Sequence, residues 1–204
     1  VKNNMQIIVS MLRMQSSMID NPEIISILNE SKNRILSMAI IHEKLYRTDN
    51  LMSVNLLEYL SSLASTMITD FSFDESQITL DLVCDPTIEM TIDAGIPLGL
   101  IINELLTNTF KHGLKENEQG TISIRIIHAG SGWLDITYRD TGTGLPEGFI
   151  LENCDSLGMQ LIQNLVFQSS GEMTMGSDNG IVVTLRIPMS EGFIIGEVSD
   201  ATRE

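Results

Sequence analysis

Glu104, Thr107, Asn108 and Lys111 recur at i, i+3, i+4 and i+7 in a segment whose remaining key positions, Leu98, Ile101, Ile102 and Leu105, are apolar. That spacing predicts a helix over 97–111 with an apolar face and one polar stripe. Most such stripes are solvated surface. Asn, however, is a poor helix former and brings no charge, so its presence beside a carboxylate and a lysine calls for another reason. Hard oxygens next to a cation suit a metal–phosphate group: oxygen ligands for Mg²⁺ and an ammonium for phosphate.

Two more stretches offer ligand chemistry. Asp140-Thr141-Gly142-Thr143-Gly144 follows an alternating strand carrying Trp133, Leu134, Ile136 and Tyr138. A carboxylate at a strand end places an acceptor beside glycine backbone that a ligand can approach closely. Turns use the same residues, and the stretch is neither a Walker loop nor a dinucleotide fingerprint. Ser156-Leu157-Gly158 opens an apolar helix. Its first-turn amides can face an anion, although the bare pattern is also that of an ordinary cap.

The elements that must hold these residues fall into two groups. Met5, Ile8, Val9 and Leu12 predict a helix over 1–19, Asp20-Asn21-Pro22 a turn, and Ile24, Ile27, Leu28, Ile35, Met38, Ile41 and Leu45 a second helix ending near Thr48. The two form an antiparallel hairpin with apolar stripes too wide for it to bury alone, so a dimeric four-helix bundle is expected. Beyond Asn50 the pattern alternates: helix 55–70, strands 77–83 and 88–92, helix 97–111, strands 121–128 and 133–139, a loop over 141–156, helix 158–168, and strands 172–175 and 181–187. Residues 190–204 show no clear pattern. The expected fold is α+β: an N-terminal antiparallel helical hairpin (1–50), an α/β two-layer sandwich (51–189) and a tail (190–204).

Composition narrows the function classes. The 204 residues carry 12 Lys+Arg against 27 Asp+Glu, a formal net charge of −15. Such a chain repels nucleic acid and anionic lipid as a whole, and phosphate must bind at a local site. No apolar run reaches the length that crosses a bilayer, and the opening Val1-Lys2-Asn3-Asn4 has no signal-peptide character. Cys84 and Cys154 form no ligand-spaced motif, so structural zinc and a disulfide framework are not expected; both read as reduced residues of a cytoplasmic protein.

Order and spacing together carry more than any single motif. NELLTNTFKHG (103–113), DTGTGLP (140–146), SLGMQLIQNL (156–165) and GIVVTLRIP (180–188) resemble the N box, the two glycine boxes and the final strand of histidine-kinase ATP-binding domains, which share the GHKL fold with gyrase, heat-shock and mismatch-repair ATPases. VKNNMQIIVSML (1–12) and NRILSMAIIHEKLYRTDNLMSVNLLEYL (33–60) resemble the dimerisation and phosphoacceptor hairpin of sensor kinases whose signature reads H-R-V-K-N-N.

The resemblance implies ATP and Mg²⁺ as cofactors. It implies that Asn108 ligates Mg²⁺ and that Glu104 orients or deprotonates the nucleophile. Lys111 and His112 lie near the phosphates, Asp140 accepts from the adenine amino group, and Gly142 and Gly144 start the lid under the base. Gly158 turns its helix N-terminus to the phosphates, with Thr107 and Leu157 as flanking contacts. It further implies phosphoryl transfer from ATP to a histidine nitrogen, a homodimer through the hairpin, and a response-regulator receiver domain as partner, with no nucleic acid and no membrane contact. Thr141 stands where Asn is common and Ile181 where a Thr often lies near the base. The signature histidine precedes the Val at which this chain begins, so a fragment unable to phosphorylate itself is expected; His42 reads as a packed hairpin residue and His128 as an exposed one. Two other readings stand beside the kinase: a GHKL ATPase working as a conformational clamp, and a degenerate kinase serving only for docking and dimerisation.

Overall fold

The computed structural model describes residues 2–47, 53–71, 77–114, 119–130, 132–154 and 156–196. Two helices open the chain, α1 (Lys2–Ser17) and α2 (Pro22–Arg47), packed on each other as a hairpin. Asn21 caps α2, its side-chain oxygen accepting from the amides of Glu23 and Ile24, and Pro22 takes the first helical position, where its missing N–H costs nothing. Of the hairpin's apolar residues only some turn inward. Val9 and Ile41 are buried, whereas Ile7, Met11, Met14, Met18, Ile24 and Ile27 are exposed.

A short strand β1 (Val54–Asn55) leads into α3 (Leu56–Asp70), which is capped by Asn55. Then come β2 (Ile78–Cys84), β3 (Ile88–Met90), α4 (Ile92–Asn108), β4 (Gly120–His128), β5 (Trp133–Asp140), α5 (Leu157–Gln168), β6 (Glu172–Ser177), β7 (Ile181–Pro188) and β8 (Phe193–Ile195). The main sheet runs β2-β4-β5-β7-β6, with β2 and β4 parallel and the remaining neighbours antiparallel. Ile124, Tyr138 and Val183 lie opposite one another across three strands and are buried, as are Ile122, Ile126, Leu134, Ile136, Leu185 and Ile187. The intervening Arg125, Arg139, Thr184 and Arg186 face solvent. This period-two division gives one buried sheet face, and the helices cover it.

α4 is the central helix, packed against α2, α3 and α5. Close approach depends on small residues: a Cβ at Gly99 would lie 1.7 Å from the Tyr59 hydroxyl, which itself donates to the carbonyl of Ser37 on α2 at 3.3 Å. The helix begins at Ile92 rather than at Pro97. Thr91 is the cap, its hydroxyl accepting from Ala94 N–H, and Pro97 sits one turn inside. There a proline removes a single bond, to the carbonyl of Asp93, in a helix otherwise anchored by its buried face. The final turn widens into a π turn over Thr109–Gly113, where the Leu114 amide reaches back five residues to the Thr109 carbonyl.

The region 190–204, which shows no clear pattern in the sequence, supplies β8. Three residues are too few to show a period, yet β8 pairs with β3, and β1 pairs with β3 on the other side. Cys84 is buried and Cys154 half-buried, and both are free thiols; burial, with Asp85 adjacent, pushes the Cys84 thiol up to about 11. No described helix is long and apolar enough to cross a membrane.

Candidate functional site

The polar stripe on α4 is not a solvated face. Glu104 is 3% exposed and Thr107 4%, while Asn108 and Lys111 are half-buried. A buried carboxylate needs partners. Glu104 finds them in Arg34 of α2, which grips it through two parallel 2.8 Å bonds from Nε and a terminal guanidinium nitrogen, and in the side-chain amide of Asn103 at 3.0 Å. The bond to Glu104 raises the Arg34 pKa, fixing its charge. On its other side Glu104 lies against α5: a Cβ at Gly158 would stand 2.7 Å from Glu104 Oε2. A side chain where α5 starts would therefore have to displace the Arg34-held Glu104 carboxylate, which glycine avoids.

Asn108, one turn further along α4, also faces α5. Its amide nitrogen donates to Met159 Sδ at 3.7 Å, which leaves the amide oxygen, the better ligand for a hard cation, unengaged. The hydroxyl of Thr107 is buried with no partner among the described residues. Ser156 caps α5 by accepting from Met159 N–H, whereas the first-turn amides of Leu157 and Gly158 have no intrahelical acceptor. Leu157 itself is exposed.

Across the site, Asp140 ends β5, 3% exposed. Its Oδ1 accepts from the amides of Gly142 (3.0 Å) and Ile181 (2.9 Å), and its Oδ2 accepts from the Thr109 hydroxyl at 2.5 Å. Gly142 presses on the end of the π turn, where a Cβ would come within 2.6 Å of the Gly113 backbone, and the Thr143 amide bonds the Gly113 carbonyl. The following Gly144 has φ +75°, a left-handed conformation that turns the loop away from the strand.

Lys111 does not stay beside Asn108. Leaving from the widened turn, its ammonium bonds Ser26 (2.6 Å) and Glu30 of α2, at the edge of a cavity of about 390 Å³ that Asn33 and Phe71 also line. His112 is exposed, and its carbonyl accepts from Thr143 Oγ1. His42 is half-buried on α2, and His128 is exposed at the end of β4.

The structure thus gathers Glu104, Thr107, Asn108, Gly158 and Leu157 at the α4–α5 junction, and Asp140, Gly142 and Gly144 beyond the π turn. Lys111 is turned toward α2, and His112 is exposed. Four participants escape a sequence reading. Arg34 and Glu30 lie 70 and 81 residues from their partners, and no local spacing encodes such pairs. Tyr138 reads as an inward strand residue, and Thr109, although next to Asn108, as helix filler.

The residues fit a magnesium nucleotide. Among the described residues, the groups left without a partner there are the Asn108 amide oxygen, the buried Thr107 hydroxyl and two helix-start amides. No group of three or more His, Cys, Asp or Glu among the described residues could hold a metal ion.

Comparison with known proteins bears on the same two groups of elements. Residues 1–71 match a family model described as histidine kinase, and residues 93–191 one described as histidine kinase-, DNA gyrase B-, and HSP90-like ATPase. The sensor histidine kinase PdtaS of Mycobacterium tuberculosis is 33% identical over 193 residues, covering 93% of this chain and 38% of PdtaS. Blue-light-activated histidine kinase 2 of Erythrobacter litoralis is 25% identical over 94% of this chain and 55% of its own length. The chain therefore spans well under two thirds of these relatives. A solved histidine kinase domain from an E. litoralis blue-light activated kinase superposes with TM-score 0.70 at 19% identity, covering 93% of this chain and 95% of that domain, which extends the likeness of fold to hairpin and sandwich together. With both segments matched in order, the chain belongs to the histidine kinase family, a helical hairpin joined to a GHKL-type ATPase fold.

Proposed function

We propose that this chain is the phosphotransfer core of a two-component sensor kinase, binding Mg²⁺–ATP between α4, α5 and the loop after β5 and passing the γ-phosphoryl group to a histidine nitrogen. The observation that carries the reading is the position of Glu104. It lies between the first turn of α5, where amides without acceptors suit phosphate, and helix α2 of the hairpin. A phosphoryl group leaving a nucleotide for a hairpin side chain must cross that boundary, whereas a conformational-clamp ATPase has no need of a hairpin there.

Each residue then has a task. Asp140 accepts from the adenine amino group. Asn108 would supply an oxygen to Mg²⁺, which when bound would offset phosphate charge. The amides of Leu157 and Gly158 receive phosphate oxygens. The histidine nitrogen attacks γ-phosphorus as the bond to ADP breaks, and Glu104 orients the imidazole and holds its other N–H proton. Catalysis is positioning plus electrostatics. With both Glu104 oxygens held by Arg34 and Lys111 held by Glu30, the arrangement is a restrained one, and α2 must shift before these groups can serve.

Calorimetric titration with ATP tests the site. Binding is expected to strengthen with Mg²⁺, and N108A should lose that magnesium increment while retaining the weaker metal-free binding. Absence of ATP binding by the unaltered chain would overturn the reading.

The exposed Ile7, Met11, Met14, Met18, Ile24 and Ile27 support a second copy as hairpin partner. Light scattering of the chain is expected to give the mass of a dimer, and M11E combined with I27E that of a monomer. A monomer at high concentration before any substitution would refute the pairing. A receiver domain as the downstream acceptor belongs to the same proposal.

A further inference from the structure

Asp140 does not stand alone. Its Oδ2 accepts from Thr109 Oγ1 at 2.5 Å, and Thr109 Oγ1 lies 2.6 Å from the Tyr138 hydroxyl, which also reaches the Leu105 carbonyl at 3.3 Å. All three side chains are buried. The direction of this chain of bonds follows from counting protons. Asp140 accepts from the Gly142 and Ile181 amides and from the Thr109 hydroxyl, so the single hydroxyl proton of Thr109 is committed to Asp140. Thr109 can then meet Tyr138 only as an acceptor, so Tyr138 donates. Burial pushes the Tyr138 pKa far up, keeping that proton in place.

Oδ1 is filled by two backbone amides, so the carboxylate cannot turn. Oδ2 keeps one lone pair, and the residue beside it is Gly113, where a Cβ would come within 3.3 Å of that oxygen. The one open position on Asp140 is thus an acceptor of fixed direction.

Resting on the nucleotide reading above, we infer that Thr109, backed by Tyr138, is a positioning residue that sets base selectivity: it holds Asp140 as a pure acceptor and so selects a 6-aminopurine over a 6-oxopurine nucleotide. An amino group donates to Oδ2, whereas a 6-oxo group brings lone pairs against an oxygen that has no proton to offer.

The test is calorimetric titration of the full chain and of T109V, T109S, Y138F and T109V/Y138F with ATP and with inosine triphosphate, each variant first checked by thermal melting. T109V is expected to bind ATP about tenfold more weakly, the loss of one hydrogen bond to a charged group, with inosine triphosphate changed less than about twofold, so that the ratio between the two nucleotides narrows. T109S, which keeps the hydroxyl, should restore the ratio. Y138F acts through Thr109, so it should narrow the ratio in the native background and add nothing to T109V. Equal weakening of both nucleotides by T109V, an unchanged ATP affinity, or failure of T109S to restore the ratio would overturn the inference. Failure of the underlying reading looks different: the unaltered chain would bind neither nucleotide, or D140N would leave ATP binding intact.

Discussion

D140N should weaken ATP binding at least about 100-fold while leaving the melting temperature nearly unchanged. Two amides converge on Oδ1, so the carbonyl oxygen of the new asparagine must take that place and its NH₂ must face Thr109. Thr109 can then accept, turning its proton to Tyr138, which in turn donates to the Leu105 carbonyl within 3.3 Å. Every buried group keeps a partner, so the fold tolerates the change. The ligand side does not, because the amide now presents a donor to the adenine amino group. Calorimetry with ATP and a thermal melt on the same sample decide the matter. Intact ATP affinity would remove Asp140 from the site, and a collapsed melt would make its role structural.

R34M should be among the most destabilising single changes in the chain. Arg34 is the only cation on Glu104 among the described residues, and Glu104 has a side chain 4% exposed. Removing one partner of a buried pair strands the other charge, at a cost of about 3 kcal/mol. For a chain of this size that lowers the melting temperature by roughly 6–12 °C. R34M/E104Q should recover most of the loss, since the charge left without a partner is gone. Urea denaturation of the native chain, both single variants and the double variant closes the cycle. A loss under about 0.5 kcal/mol for R34M would mean that Glu104 is hydrated or protonated once Arg34 is removed.

Legibility in the sequence follows range. The hairpin, the alternating strands and the helices at 56–70 and 157–168 were readable because their periods extend over many residues. The spacing of the polar stripe starts α4 at Pro97, whereas the structure starts it at Ile92, with Thr91 as cap and Asp93 in the first turn. β8 carries too few residues for a period and exists because β3 offers it an edge. At the site, the motif residues of α4 and β5 were nameable from spacing and resemblance. What holds them was not: Arg34 on Glu104, Glu30 on Lys111 and Thr109 on Asp140 are tertiary pairings, and a polar residue's partner 31 to 81 residues away leaves no mark on local pattern.

The small sheet at the base of α4 has a mechanical meaning. β1 follows the hairpin, lies hydrogen-bonded beside β3, and β3 runs into Thr91, the cap of α4. α4 is then a lever with its fulcrum at Thr91 and Asn108 at its tip, about 25 Å away at 1.5 Å per residue. A tilt of only about four degrees at the fulcrum carries the tip nearly 2 Å, and misplacement of about 1 Å can cost a reaction about 100-fold. The hairpin packs along this lever, with Ile41 against Gly95 near the fulcrum and Arg34 on Glu104 along the arm. Motion too slight to unpack either layer is therefore enough to displace Asn108 by that distance.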